Sequence, residues 1–114
     1  MTERRQMLGA SGEARVARWY STRGYRVVDR NWRCRTGEID LVLERPGELV
    51  FCEVKTRSSH RFGAPVEAVT TRKARRIRQL ATRWLAQHPG GGRRLRFDVA
   101  GVVGPDIEVI QGAF

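Results

Sequence analysis

Two stretches of alternating character, Glu38 to Glu44 and Leu49 to Lys55, flank the turn Arg45-Pro46-Gly47-Glu48, and no other feature of the chain restricts its fold as strongly. Pro-Gly is a tight-turn dipeptide and the flanks repeat with period two, so together they predict a β-hairpin. Whether the loop is Pro46-Gly47 or Arg45 to Glu48, one register follows. Leu43 falls opposite Val50, Leu41 opposite Cys52, Ile39 opposite Val54, Asp40 opposite Glu53 and Glu38 opposite Lys55. One face is then apolar and the other gathers the charges. A one-residue slip would set Asp40 against Cys52 and turn the charged set toward the core.

Carboxylates directly opposed on a sheet have Cβ atoms about 4.5 to 5.5 Å apart and repel, so the pair Asp40 and Glu53 calls for compensation. A hard divalent cation supplies it, taking carboxylate oxygens while keeping water positions for a substrate phosphate, and Lys55 adds a positive charge on the same face. Two acids, a lysine and a metal make a phosphodiester-cleaving arrangement, in which Lys55 positions water or offsets charge in the transition state. The same residues admit a plainer reading: a cross-strand ion pair between Glu38 and Lys55, with Asp40 facing solvent. Only Lys55 and Lys73 among the 22 basic residues are lysine, which sets Lys55 apart in a chain that otherwise uses arginine.

Around the hairpin, Ser11 reads as an N-cap and Ala14, Ala17 and Tyr20 recur at helical spacing up to a stop at Gly24. Tyr25 to Asn31 predicts a short strand, and Trp32 to Thr36 a loop. Past a polar loop, Val66 to Val69 predict a turn of helix, and Thr70 or Thr71 caps a longer helix whose buried stripe is Ala74, Ile77, Ala81, Trp84 and Leu85. His88 to Gly92 end it, and Leu95 to Val103 with Ile107 to Ile110 predict a second hairpin. Helix, three strands, helix, two strands is an α/β arrangement with a mixed sheet, on a chain of 114 residues suited to a single domain over 1–114.

Charge points to the partner. The chain carries 22 basic against 12 acidic residues, a net charge of +10, as expected of a chain that neutralises phosphates. The outer face of the second predicted helix holds Arg72, Lys73, Arg75, Arg76, Arg78 and Arg83 without an acidic residue, and Arg57 and Arg61 lie near the candidate site. These form the expected nucleic-acid surface, with a merely solvated helix face as the alternative. Cys34 and Cys52 form no metal-binding or redox spacing. The absence of a long apolar run predicts no membrane partner, and the absence of a leader-like segment predicts a cytoplasmic protein. His60, in the loop after Lys55, is a minor candidate for proton transfer and His88 a weaker one; Trp32 could stack on a base, whereas Trp19 and Trp84 suit a core.

Gly12-Glu13, Gly37-Glu38-Ile39-Asp40, Phe51-Cys52-Glu53-Val54-Lys55-Thr56-Arg57, Phe62-Gly63, Arg96-Phe97-Asp98-Val99 and Ala113-Phe114 resemble the corresponding stretches of the YraN-like family of small bacterial proteins. That family is regarded as a distant relative of archaeal Holliday-junction resolvases and other PD-(D/E)XK nucleases. The resemblance covers nearly the whole chain. It implies a restriction-endonuclease-like α/β core, with a mixed sheet of about five strands flanked by helices. It implies that Asp40, Glu53 and the Val54 carbonyl bind Mg²⁺ or Mn²⁺, that Lys55 is catalytic, and that Glu13 reaches the site from the first helix. Ile39 stands where the class motif has its proline. The implied substrate is DNA ahead of RNA, branched or structured DNA included, and a homodimer would suit symmetric cutting of two strands. The competing reading is a non-catalytic nucleic-acid-binding or ribosome-associated module that keeps the fold.

Overall fold

The computed structural model describes residues 3–57 and 70–114, with side chains from Ser11 onward. In chain order the elements are α1 (Glu3–Ser21), β1 (Arg26–Cys34), β2 (Gly37–Arg45), β3 (Glu48–Arg57), α2 (Thr71–Gln87), β4 (Arg94–Val103) and β5 (Asp106–Ile110). The strands form one five-stranded sheet in the order β1-β2-β3-β4-β5. All neighbours are antiparallel except β3 and β4, which are parallel because α2 lies in the crossover between them. The architecture is the expected α/β one: a mixed sheet between two helices, a restriction-endonuclease-like core.

Each helix covers one face. From α1, Val16, Ala17 and Tyr20 pack on Leu41, Leu43, Val50, Cys52, Ala100 and Val102. From α2, Ile77, Leu80, Ala81 and Trp84 pack on Ile39, Val42, Leu49, Phe51 and Phe97. Sheets covered on both faces carry strands apolar on both sides, which is why Leu41 to Leu43 and Leu49 to Cys52 are buried without a break. The second face of the hairpin is therefore not wholly charged, as the alternation suggested. Its charges are confined to one end, and Val42, Leu49 and Phe51 lie under α2 at the other. Thr70 caps α2, its hydroxyl accepting the Lys73 N–H, and Trp84 Nε1 donates to Asp29 of β1 at 2.9 Å. On β4, opposite Cys52, Asp98 is fully buried and accepts from Tyr20, Arg96 and the Gly112 N–H, tying α1, β4 and the C-terminal segment together.

Several sequence expectations need correction. The first helix begins at Glu3, so Ser11 lies inside it rather than capping it, and Ala14 faces solvent while Val16 is buried. Strand β1 continues to Cys34, so Trp32 belongs to it and not to a loop. The hairpin register holds from Arg45 opposite Glu48 to Leu41 opposite Cys52 and stops there. Asp40 opposite Glu53, and the two pairs beyond it, are not formed. Ile39 accordingly sits with the α2 cluster instead of sharing the face of Leu41. The turn at Val66 to Val69, His60, Arg61 and Phe62-Gly63 lie outside the described residues.

Candidate active site

The end of the hairpin ladder creates the site. Beyond Leu41 and Cys52 the two strands no longer exchange backbone hydrogen bonds, and the Asp40 carboxylate takes over, accepting the Val54 N–H at 2.8 Å. A side chain thus replaces a rung of the ladder. Asp40 is held at the sheet surface with 7% of its area exposed. From β3, Glu53 and Lys55 project on the same side, joined by an ion pair of 3.0 Å between Lys55 Nζ and Glu53 Oε1. Glu38 is turned to Arg33 at 3.2 Å, so the anticipated Glu38 to Lys55 pair gives way to one within β3.

Asp40, Glu53, Lys55 and Glu38 form one wall of a cleft of about 240 Å³, and Lys73, Arg76, Ile77 and Leu80 of α2 line the other. A larger cavity of about 360 Å³ lies near the start of α2, lined by Thr70, Thr71, Ala74, Val99, Ile110, Ala113 and Phe114. None of those side chains is ionisable at neutral pH, so the smaller cleft is the one equipped for chemistry.

Electrostatically the cleft floor is a frustrated acid. Burial above all, and then the Glu53 charge, push the Asp40 carboxyl up to about 8; Glu13 and Glu38 act in the same direction, while the Val54 hydrogen bond opposes them. Burial is also the chief cause that raises Glu13, with smaller contributions from Glu38 and Glu53; a hydrogen bond from Asn31 and the Arg30 charge lower it. Glu13, on α1, is within electrostatic reach of Asp40 and Glu53 but is not among the residues that line the cleft. Gly12 beside it lets α1 come close, since a Cβ there would stand 2.2 Å from Thr56 Oγ1.

Among the described residues no three His, Cys, Asp or Glu side chains converge into a ready-made metal cage. What the cleft offers is a buried carboxylate and a second one beside it, with the Val54 carbonyl on the residue whose N–H Asp40 already takes. Such a donor set fits an open oxygen site for a hard cation, which would relieve the repulsion that raises Asp40.

The basic helix splits by face. Lys73 and Arg76 look into the cleft. Arg72 and Arg75 are exposed on the outside. Arg78 instead stacks over Phe97 and Phe114, 4.7 and 5.9 Å from their ring centroids, and so packs the C-terminal segment. Arg57, at the end of β3, is exposed. Asn31, within β1 beside the site, takes a left-handed φ of 49° that no periodicity announces. An Asn in a polar stretch before a predicted loop was the only available signal.

Many related proteins align along almost the full length. A UPF0102 protein of Frankia alni is 54% identical over 94% of this chain and 93% of its own length. One of Beutenbergia cavernae is 53% identical over 84% of this chain and 81% of its own, and one of Acidothermus cellulolyticus 44% identical over 96% and 95%. The stretch 12–102, which contains α1 from Gly12, the whole cleft and most of β4, matches the model of the family described as uncharacterised protein family UPF0102. The chain belongs to that family, the one to which the YraN-like resemblance pointed.

Proposed function

We propose that the chain is a Mg²⁺- or Mn²⁺-dependent endonuclease that hydrolyses phosphodiester bonds in DNA, branched or structured DNA included. The observation that carries this reading is the cleft itself, with Asp40, Glu53 and Lys55 on one wall and Lys73 and Arg76 on the other. Asp40, Glu53 and the Val54 carbonyl are the residues that would hold the cation. When bound, it would polarise the phosphoryl group and acidify a coordinated water. Lys55, anchored by Glu53 at 3.0 Å, places an ammonium where negative charge grows on the phosphate. Lys73 and Arg76 hold the flanking phosphates, and the Val54 N–H keeps the Asp40 carboxylate in one orientation. Glu13 lends a further carboxylate from α1.

The test is cleavage of single-stranded, duplex, flapped and four-way-junction DNA with Mg²⁺ or Mn²⁺, comparing wild type with folded Glu53→Ala and Lys55→Ala proteins. Loss of cleavage by a factor of about 100 or more in both variants is expected. A wild type that binds DNA tightly and salt-sensitively but cuts none of these substrates would favour the non-catalytic binding module instead.

A further inference from the structure

Gly37 and Glu38, which line the cleft, directly follow the β1–β2 turn. Cys34 pairs with Gly37 across that turn, so Arg35 and Thr36 are its two tip residues, and both are exposed. The turn rests on α2. A Cβ at Gly37 would stand 3.2 Å from Leu80 Cδ1 and 3.9 Å from Arg76 Cδ, so glycine at this position sets how near the turn comes to the helix.

Helical spacing then brings in a further cation. Leu80 has Arg76 one turn before it and Arg83 one turn after it on the same face. With Lys73 three residues before Arg76, one edge of α2 reads Lys73, Arg76, Leu80 and Arg83, and its three cations are exposed. Arg83 also helps, after Thr36, to hold the Cys34 thiol below its ordinary value, as a group beside the turn does. The sequence of α2 contains no Asp or Glu, so these cations have no ion-pair partner on their own helix. Glu38, beside the turn, is offset by Arg33 at 3.2 Å. From Lys73 to Arg83 the helix rises about 15 Å. A B-form strand advances about 3.4 Å per phosphate, so this edge matches a run of about four phosphates rather than one.

We propose that Arg35 and Arg83 form a second phosphate-binding site, which holds the DNA strand where it runs on from the cleft along α2 to the β1–β2 turn. The inference rests on the DNA-cleaving reading and deepens it: the strand bound in the cleft continues past the scissile phosphate on the side of the turn. Lys73 and Arg76 serve the cleft itself, and Arg35 and Arg83 serve the strand beyond it.

The test is the salt dependence of DNA binding, read by fluorescence anisotropy in chelating buffer so that no cleavage intervenes. Wild type is compared with Arg35→Ala, Arg83→Ala, the double variant, Lys73→Ala and Arg94→Ala. Arg94 is the control, being exposed and paired in register with Glu48, seven residues along β3 from Lys55 and so about 23 Å from it. The slope is expected to fall by about 1 in each single variant at Arg35 and Arg83 and by about 2 in the double, with no change in Arg94→Ala and wild-type melting temperatures throughout. Arg83→Lys is expected to keep most of the slope, because an ammonium still neutralises a phosphate. On a DNA that is cleaved, the double variant is expected to raise KM about 10-fold and to leave kcat unchanged. A wild-type slope in the double variant, with the slope lowered in Lys73→Ala, would overturn the second site and leave the cleft reading intact. An equal loss in Arg94→Ala would mean a diffuse positive field and would overturn the second site as well. A wild type that does not bind DNA would overturn both. Because the slope is read without metal, it decides the role of Arg35 and Arg83 whether or not the DNA is cut.

Discussion

At the scale of single residues, the cleft is organised around a carboxylate that resists ionisation. Asp40 holds its proton more tightly in the folded chain than the ordinary carboxyl value of 3.8 allows, up to about 8, because it is buried beside Glu53. The folded state therefore carries more proton on this group than the unfolded state does between those two values, and stability must fall as pH rises through that window. Urea unfolding in chelating buffer is expected to show a less stable protein at about pH 8 than at about pH 5, and Asp40→Asn is expected to flatten that slope. A slope unchanged in the variant would mean that other groups govern it. Asp40, Glu53 and Lys55 were legible as a set because alternation and a Pro-Gly turn bring them toward one face, although the rung that would set Asp40 opposite Glu53 is not formed. Asn31 was not legible, since a left-handed φ leaves no trace in polarity or periodicity.

At the scale of elements, what matters is how closely α1 approaches β3. Gly12 is buried against Thr56, two residues beyond Val54, and a methyl group in its place would overlap the Thr56 hydroxyl at 2.2 Å. Gly12→Ala is expected to destabilise the protein by about 1 to 3 kcal/mol, the usual cost of overpacking. Thr56→Ala in the same chain removes the obstructing atoms and is expected to restore most of it, as thermal denaturation of the three variants would show. Independent, additive effects of the two changes would rule out this close contact as the cause. Order and type of all five strands and both helices followed from period and turn chemistry. Their ends did not: the first helix runs eight residues further toward the N-terminus than Ser11 suggested, and β1 runs through Trp32 to Cys34. Local propensity marks a cap only where no neighbouring turn extends the helix, and a strand continues as long as its partner offers hydrogen bonds.

For the whole molecule, the net charge of +10 becomes a directed surface only when α2 is docked on the sheet. Lys73 and Arg76 then line the cleft, Arg75 is exposed, and Arg78 is spent on Phe97 and Phe114. Alanine at Lys73, Arg75 or Arg76 is expected to lower the salt slope of duplex DNA binding by about 1 each, measured by fluorescence anisotropy across a salt series. Arg78→Ala is expected to leave that slope unchanged and to lower stability by about 1 kcal/mol through the lost ring contacts. A reduced slope in Arg78→Ala would return that residue to the phosphate-binding set.

By itself the sequence determined the α/β class, the hairpin register from Arg45 to Leu41 and the grouping of Asp40, Glu53 and Lys55, because period and turn chemistry act between residues near in the chain. Tertiary structure alone decided where that register ends, that Lys55 pairs with Glu53 rather than Glu38, and which cations of α2 face the acids. Each of these depends on burial under a helix distant in sequence. The desolvation that raises Asp40 and the close approach at Gly12 arise only when α1, the sheet and α2 are packed together.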